Sequence, residues 1–180
     1  MSDHAPDAAP RLFHVSDVAG VERFDPRRSP SDRGPVEACV WAVDEHHVQF
    51  YFLPRDCPRV CFFAEQTSDP RDVERFLGLT TARYVVAIEV GWLDRVRRER
   101  LWVYDLPPAT FREFDPNAGH WVSTESIIPS GVERVDDLLA RTLSFDVELR
   151  FVPSLWPLRD AVVTSTLGFS CIRMRNARPR

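Results

Sequence analysis

The chain has 180 residues, of which 44% are hydrophobic and 28% are charged, a composition typical of one folded domain. Its net charge of −4 disfavours a nucleic-acid-binding protein, since such proteins usually carry a basic face. No apolar run reaches the roughly 20 residues of a membrane-spanning helix, so no membrane partner is expected. The opening decapeptide, MSDHAPDAAP, lacks the apolar segment of a secretory signal, and we expect a cytoplasmic protein.

Missing residues and motifs exclude several enzyme classes. The chain contains 23 arginines and no lysine. This excludes a Schiff-base lysine and the lysine of a phosphate-binding P-loop. The glycine motifs G-x-G-x-x-G and G-x-S-x-G do not occur, so dinucleotide-binding Rossmann folds and α/β-hydrolases lack their signatures.

The first third of the chain predicts short elements. Residues 1–10 are expected to form a disordered tail because they carry too few apolar residues to fold. Residues 11–16, RLFHVS, predict a strand, and residues 16–24 predict a helix with its apolar side chains on one face. The prolines of residues 25–35 predict a loop, and the apolar run at 37–43 predicts a buried strand.

After that strand, Asp44 is placed to cap a short helix that Pro54 ends. The strands at 82–93 and 99–107 are expected to pair around a charged turn at 94–98. The remaining patterns predict strands at 59–64, 120–126, 147–153 and 168–174, and helices at 68–78, 132–143 and 154–165.

These elements predict an α+β fold. Strands and helices do not alternate strictly, which favours largely antiparallel, mixed sheets with four or five short helices. All of the predicted elements fit within a single domain at residues 11–176, and residues 177–180 are expected to form a C-terminal tail.

The cysteines and histidines do not predict a metal site. The four cysteines, Cys39, Cys57, Cys61 and Cys171, form no C-x-x-C motif, and we expect buried structural thiols. His46 and His47 are adjacent, so on a helix their side chains would point about 100° apart. They would not easily bind one metal ion.

Four residues form the most specific pattern. His14 lies on the first strand, Trp41 on a second, Tyr51 on the helix after it, and Glu125 on the late strand HWVSTES. A single glutamate suffices to cleave the glycosidic bond of NAD, because nicotinamide leaves as a neutral molecule and a carboxylate stabilises the cationic sugar. The competing interpretations are that His14 is an ordinary core or edge residue and that Glu125 is an exposed edge residue or a helix-cap partner.

In order, element type and rough spacing, this pattern resembles the diphtheria-toxin-like ADP-ribosyltransferases. The resemblance implies that His14 holds a ribose hydroxyl of NAD, that Trp41 and Tyr51 stack on nicotinamide, and that Glu125 is catalytic. NAD would be a substrate, and no covalently bound cofactor is implied. The chain departs from that family in two ways: it carries Trp41 where tyrosine is usual, and the strand that contains Trp41 lacks a Ser-Thr-Ser triplet.

The segment FLPRDCPRV resembles a family of small, uncharacterised bacterial proteins, for which no activity is implied. Its two arginines, Arg55 and Arg59, lie in a proline-stiffened loop. They are candidates for clamping a pyrophosphate with their forked donors. The alternative is structural: Asp56 pairs with one arginine, and the prolines set the turn.

Two other functional classes stay open from the sequence. One is a non-catalytic α+β domain that binds a small ligand or a protein through its many aromatic residues. The other is a hydrolase that uses His14 or His120 with an acid such as Asp44. Convergence of His14, Trp41 or Tyr51, and Glu125 in one cleft would favour the NAD-dependent enzyme.

Overall fold

The computed structural model describes residues 9–28, 35 and 37–180. The tail predicted at 1–10 therefore lies largely outside the described residues, as does part of the loop at 25–35. In chain order the strands are β1 (Leu12–Ser16), β2 (Val40–Asp44), β3 (Arg59–Phe63), β4 (Tyr84–Glu89), β5 (Leu101–Leu106), β6 (Arg112–Asp115), β7 (His120–Ser123), β8 (Gly131–Val135), β9 (Val147–Val152) and β10 (Gly168–Ile172).

The helices are short. They are α1 (Pro70–Leu77), α2 (Leu93–Arg98), α3 (Leu138–Leu143) and α4 (Trp156–Val162), with 3-10 turns at Val48–Tyr51, Val90–Trp92, Pro108–Thr110, Pro116–Ala118 and Met174–Asn176. Helix α1 begins where predicted because the Asp69 side chain accepts a hydrogen bond from the Arg71 backbone N–H and Pro70 fits the first turn. Among the described residues, no helix combines the length and apolar character needed to cross a membrane.

The strands form two sheets. Six of them make an antiparallel sheet in the order β6-β7-β2-β1-β5-β8, and the other four make a sheet in the order β10-β3-β4-β9. In the smaller sheet only β4 and β9 are parallel. This architecture confirms the predicted α+β fold with largely antiparallel, mixed sheets, and the described part of the chain contains four α-helices.

Three apolar clusters hold these layers together. The largest lies between the two sheets and includes Val43, Phe50 and Val86. A second packs α1 and α4 against the smaller sheet through residues such as Leu155 and Val162. The third covers the outer face of the larger sheet, so both faces of each sheet are packed.

Several local predictions were wrong. The segment predicted as a helix at 16–24 is not helical: β1 runs through Ser16, and Phe24 then makes an isolated bridge to Ile127. The expected helix at 132–143 is divided into β8 and α3. The sequence did not indicate β8 because three consecutive residues, Val132 to Arg134, are exposed. The segment therefore lacks the alternation of apolar and polar residues that is typical of a half-buried strand.

The predicted pairing of the strands at 82–93 and 99–107 was also wrong. The intervening charged residues form helix α2 rather than a turn. The chain therefore crosses between layers here, and β4 belongs to the smaller sheet while β5 belongs to the larger one.

Candidate functional site

In the larger sheet, the pairing between the two central strands, β1 and β2, ends early, and we call the unpaired stretch beyond Phe13 the opening. The ladder between β1 and β2 comprises only the pairs Leu12–Asp44 and Phe13–Val43. By contrast, β1 pairs with β5 over five residues, and β2 pairs with β7 over four. Beyond Phe13, β1 and β2 therefore each keep their outer neighbour but separate from one another.

His14 occupies the start of this opening. Its Nδ1 lies 2.8 Å from the backbone oxygen of Trp41, and because a carbonyl only accepts, Nδ1 carries the hydrogen. The His14 side chain thus makes a hydrogen bond to β2 just beyond the point where the backbone pairing of β1 and β2 ends. Burial lowers the pKa of His14, and nearby Arg55 lowers it further, against the opposing effect of the Trp41 carbonyl. A neutral imidazole at pH 7 follows, with a lone pair on Nε2.

Trp41 and Tyr51 come together at His120. The rings of Trp41 and His120 lie 5.4 Å apart at their centroids and nearly perpendicular. Tyr51, which ends a 3-10 turn, places its hydroxyl oxygen 2.6 Å from His120 Nε2. Burial raises the pKa of Tyr51 and lowers that of His120, where Asp115 opposes the effect. Tyr51 is therefore the donor and His120 the neutral acceptor.

His120 is a site residue that the predicted nucleotide pattern omitted. The signal that identifies it is sheet register: His120 pairs with Val43, so it lies on the same face as Trp41, two residues along β2. Register between distant strands is not readable from one sequence, since it depends on which strands become neighbours.

The hydrolase hypothesis paired His120 or His14 with Asp44, and the structure gives Asp44 a different partner. Asp44 Oδ1 lies 2.7 Å from Nδ1 of His47 and also accepts the backbone N–H groups of His46 and His47. The His47 ring packs directly over Gly119, whose φ of +63° favours glycine and where a Cβ would collide with that ring. Asp44 thus caps the turn, as expected from the sequence, rather than orienting a catalytic histidine.

The two loop arginines have opposite surroundings. Arg55 is exposed, and its Nη1 pairs with Asp17 at 3.1 Å, close enough to His14 to affect its pKa. Arg59 is only 2% exposed, and its guanidinium donates to three backbone oxygens, those of Phe50, Pro54 and Cys57. Arg59 therefore supports the loop from inside and has no access to a pyrophosphate. For this residue the structural alternative holds, but the partners are carbonyl groups rather than Asp56.

Glu125 lies just beyond β7, because that strand ends at Ser123 rather than continuing to residue 126. Its backbone N–H donates to Ser123 Oγ at 3.2 Å, and its side chain is exposed. Ser123 pairs with Val40, so Glu125 emerges at the end of the sheet toward which β1 and β2 separate. No described residue hydrogen-bonds or pairs with its carboxylate.

Phe24 connects the Glu125 turn to His14. Phe24 and Ile127, which follows Glu125 by two residues, exchange two backbone hydrogen bonds of 2.8 and 2.9 Å. The Phe24 ring packs on the His14 ring at 4.7 Å between centroids. The described contacts thus link His14 to the Phe24 ring and to the backbone of Trp41. The Trp41 side chain lies on the opposite face of the sheet from His14, because Val43 faces the inner cluster while Leu12 faces the outer one. The contacts do not join the Glu125 carboxylate to the imidazole either.

The thiols are consistent with structural roles. Cys39, Cys57 and Cys61 are buried, and burial raises the pKa of Cys57 to about 11, which keeps it protonated and unreactive at neutral pH. Within the part of the chain that the structure describes, no group of three or more His, Cys, Asp or Glu residues is arranged to hold a metal ion.

Comparison with known proteins gives a family but no activity. No curated protein and no solved structure matches the chain. A family model described as a family of unknown function, DUF6886, matches residues 13–177, a span that contains all six residues of the predicted nucleotide site. The chain therefore belongs to the DUF6886 family.

Proposed function

We propose that the protein binds NAD at the opening between β1 and β2 and cleaves or transfers its ADP-ribosyl group. The observation that supports this proposal most is the hydrogen bond from His14 Nδ1 to the Trp41 carbonyl. It fixes a neutral imidazole where the strands separate, and Nε2 has no partner among the described residues. A neutral Nε2 accepts a hydrogen bond, as holding a ribose hydroxyl requires.

Aromatic side chains around the opening suit a planar base. Trp41 lies on the inner face of the larger sheet, opposite His14, and its half-buried ring contacts those of Phe114, at 5.3 Å, and His120, at 5.4 Å. Tyr51 is fixed by its bond to His120. In the proposal, NAD passes through the opening, so that its ribose reaches His14 on the outer face and nicotinamide stacks on the accessible part of Trp41 on the inner face. Tyr51 and His120 set the orientation of that indole.

Arg55 is the residue proposed to bind the pyrophosphate. It is exposed and close to His14, and its contact with Asp17 uses Nη1, which leaves other guanidinium donors for phosphate oxygens. Arg59 has no part in this role because its donors are committed inside the loop.

The proposed chemistry requires no general acid. The bond between the ribose carbon and the nicotinamide nitrogen breaks, and the bonding electrons leave with nicotinamide, which becomes neutral. The Glu125 carboxylate stabilises the cationic sugar. Water or the hydroxyl, amine or amide of an acceptor then attacks this carbon and loses a proton, so that hydrolysis yields ADP-ribose, nicotinamide and a proton.

The test is NAD binding by calorimetry together with nicotinamide release, using the full chain and Glu125→Gln. We expect Glu125→Gln to bind NAD within about threefold of the wild type but to release nicotinamide about 100-fold more slowly, the usual scale for losing one electrostatic stabiliser. Glu113→Gln is the matched control, because Glu113 is also exposed but lies on the neighbouring strand β6. It should behave as the wild type.

Two results would overturn the proposal. No heat of binding at millimolar NAD with a folded protein removes the nucleotide site. Binding with nicotinamide release that is equal in wild type and Glu125→Gln removes the catalytic role of Glu125.

A further inference from the structure

A second candidate site lies on the inner face of the larger sheet and shares no lining residue with the proposed NAD site. A cavity of about 200 Å³ is bounded by β1, β5 and β8 on one side and by α3 and the 3-10 turn at Val48–Tyr51 on the other. None of the six residues of the predicted nucleotide pattern lines it. The cavity is smaller than the roughly 300–1,000 Å³ of sites for drug-sized ligands, so its ligand must be small.

Strand register explains how this cavity acquires both apolar and charged walls. Phe13 on β1 pairs with Asp105 on β5, and Val103 on β5 pairs with Glu133 on β8. Paired residues of neighbouring strands share a face. Phe13 and Val103 therefore belong to the apolar floor, while Asp105 and Glu133 place carboxylates around it.

Two arginines are held at this cavity by stacking and by these carboxylates. Arg141 stacks on Phe52 and Phe145, at 5.1 and 5.2 Å, and its Nη2 donates to Glu133 at 2.8 Å. Arg11 lies over Phe13 at 5.2 Å, and its Nη2 is 3.7 Å from Asp105. The Arg141 guanidinium group is thus oriented before any ligand binds, whereas the Arg11 side chain is 67% exposed and more loosely held.

The charges at the cavity are not fully matched among the described residues. Arg141 Nε is enclosed by protein atoms and does not face the cavity. The side chain is 30% exposed and Nη1 has no acceptor among the described residues, and the long contact of Arg11 leaves most of its donors unused. Glu45 adds a third carboxylate to the lining, and no described residue pairs with it. The site therefore offers cationic donors at one position and an unpaired carboxylate at another, beside aromatic walls.

We propose that this cavity binds a small zwitterion with an apolar body, of the class of the apolar α-amino acids. The ligand carboxylate would contact Arg141 and Arg11, the ammonium group would contact Glu45, and the apolar side chain would lie against Phe13, Phe52 and Phe145. A nucleotide is a poor fit because three carboxylates face the cavity against two guanidinium groups, which disfavours phosphate.

The experiment is calorimetry or ligand-observed NMR with L-phenylalanine and L-leucine on the full chain. Phenethylamine and 3-phenylpropanoate, which each keep one of the two charged groups, serve as analogues. We expect at least one of the amino acids to bind about tenfold or more tightly than the analogues, since each lacks one charged contact. An analogue that binds as well as both amino acids would overturn the zwitterion assignment.

Variants test the contacts themselves. Glu45→Gln and Arg141→Met should each weaken amino acid binding about tenfold or more. Arg75→Met is the matched control for Arg141, because Arg75 also stacks on an aromatic ring, that of Phe76 at 4.9 Å, but does not line this cavity. If Arg141→Met fails to fold, Glu45→Gln still tests the proposal, because Glu45 is exposed and its substitution should leave the fold intact.

Absence of binding to the folded wild type at about 10 mM of either amino acid would show that the cavity is not such a site, because that concentration exceeds the millimolar range of weak small-ligand binding. Unchanged affinity in Glu45→Gln would also overturn the proposal. NAD takes no part in these measurements, so they are independent of the proposed enzymatic function.

Discussion

The hydroxyl group of Tyr51 and Nε2 of His120 lie 2.6 Å apart, and this hydrogen bond connects a turn between the two sheets to strand β7. Both side chains are largely withdrawn from water. Because burial raises the pKa of Tyr51 and lowers that of His120, both groups are neutral at pH 7. Because both side chains are largely withdrawn from water, breaking this hydrogen bond carries a larger penalty than breaking an exposed one.

We therefore expect Tyr51→Phe to lower the free energy of unfolding by about 1–3 kcal/mol, the usual cost of leaving a buried acceptor without its donor. The measurement is urea unfolding followed by circular dichroism. His120→Phe and the double variant complete a cycle that isolates the pairwise interaction. If the effects of the two single substitutions simply add, the bond contributes nothing to stability.

The sequence predicted the class of the fold because the evidence for it is local. The apolar runs of β2, β3 and β4 and the proline- and aspartate-marked start of α1 depend on neighbouring residues. By contrast, β8 carries three consecutive exposed residues, and only its pairing with β5 makes it a strand. Tertiary pairing decides such segments, so their sequence alone is ambiguous.

The candidate site likewise combines residues that the sequence could indicate with contacts that only the fold creates. His14 and Trp41 could be selected by residue type and element, but their hydrogen bond depends on the early separation of β1 and β2. His120 and Phe24 join the site through long-range pairing with Val43 and Ile127. Arg55 and Arg59 are indistinguishable in sequence, yet one is exposed and the other is buried among carbonyl groups.

The buried histidines predict a loss of stability in mild acid. Burial is the main cause that lowers the pKa of both His14 and His120. Below the ordinary histidine pKa of about 6.5, the unfolded chain binds protons that the folded chain does not. The contribution is therefore fully present above about pH 6.5 and is lost as the pH falls, at up to about 1.4 kcal/mol per pH unit for each histidine.

This pH dependence can be measured by urea unfolding between about pH 8 and pH 5, the range that brackets the histidine pKa. The variants His14→Gln and His120→Gln should each reduce the slope below pH 6.5. A slope that survives in both buried-site variants would assign the acid sensitivity to other groups.

The contrast between the loop arginines predicts opposite phenotypes. Arg59→Met leaves three buried carbonyl groups without donors, and we expect a loss of about 3–5 kcal/mol in unfolding free energy, the scale for removing one partner of a buried charged network. Arg55→Met should change stability by less than about 1 kcal/mol, because its ion pair is exposed. Under the proposed function, Arg55→Met should nevertheless weaken NAD binding.

Chemical denaturation of the two variants, followed by calorimetry with NAD on whichever is folded, separates these effects. Arg83→Met is a suitable control because Arg83 is exposed and stacks on Tyr84 at 5.1 Å without lying in the loop. Equal stability of Arg59→Met and wild type would show that the carbonyl contacts are dispensable.

A buried carboxylate attaches the C-terminal residues to the domain. Glu89 is 6% exposed and accepts backbone N–H groups from Leu155, ahead of α4, and from Arg178 at 2.9 Å. The Trp156 indole N–H donates to the Arg178 carbonyl at 2.7 Å. Residues 177–180, predicted as a tail, thus make specific contacts through Arg178.

We expect Glu89→Gln to lower the free energy of unfolding by about 1–3 kcal/mol, because the amide replaces a charged acceptor with a weaker one and adds donors that lack partners. Amide hydrogen exchange at Arg178 should accelerate more than exchange in β4, since the attachment opens locally before the domain unfolds. Asp160→Asn is the matched control: Asp160 pairs with Arg180 of the same segment at 3.0 Å, but both side chains are largely exposed, so the loss should stay below about 1 kcal/mol. If Arg178 exchanges equally fast in Glu89→Gln and wild type, the segment is held by Trp156 rather than by the carboxylate.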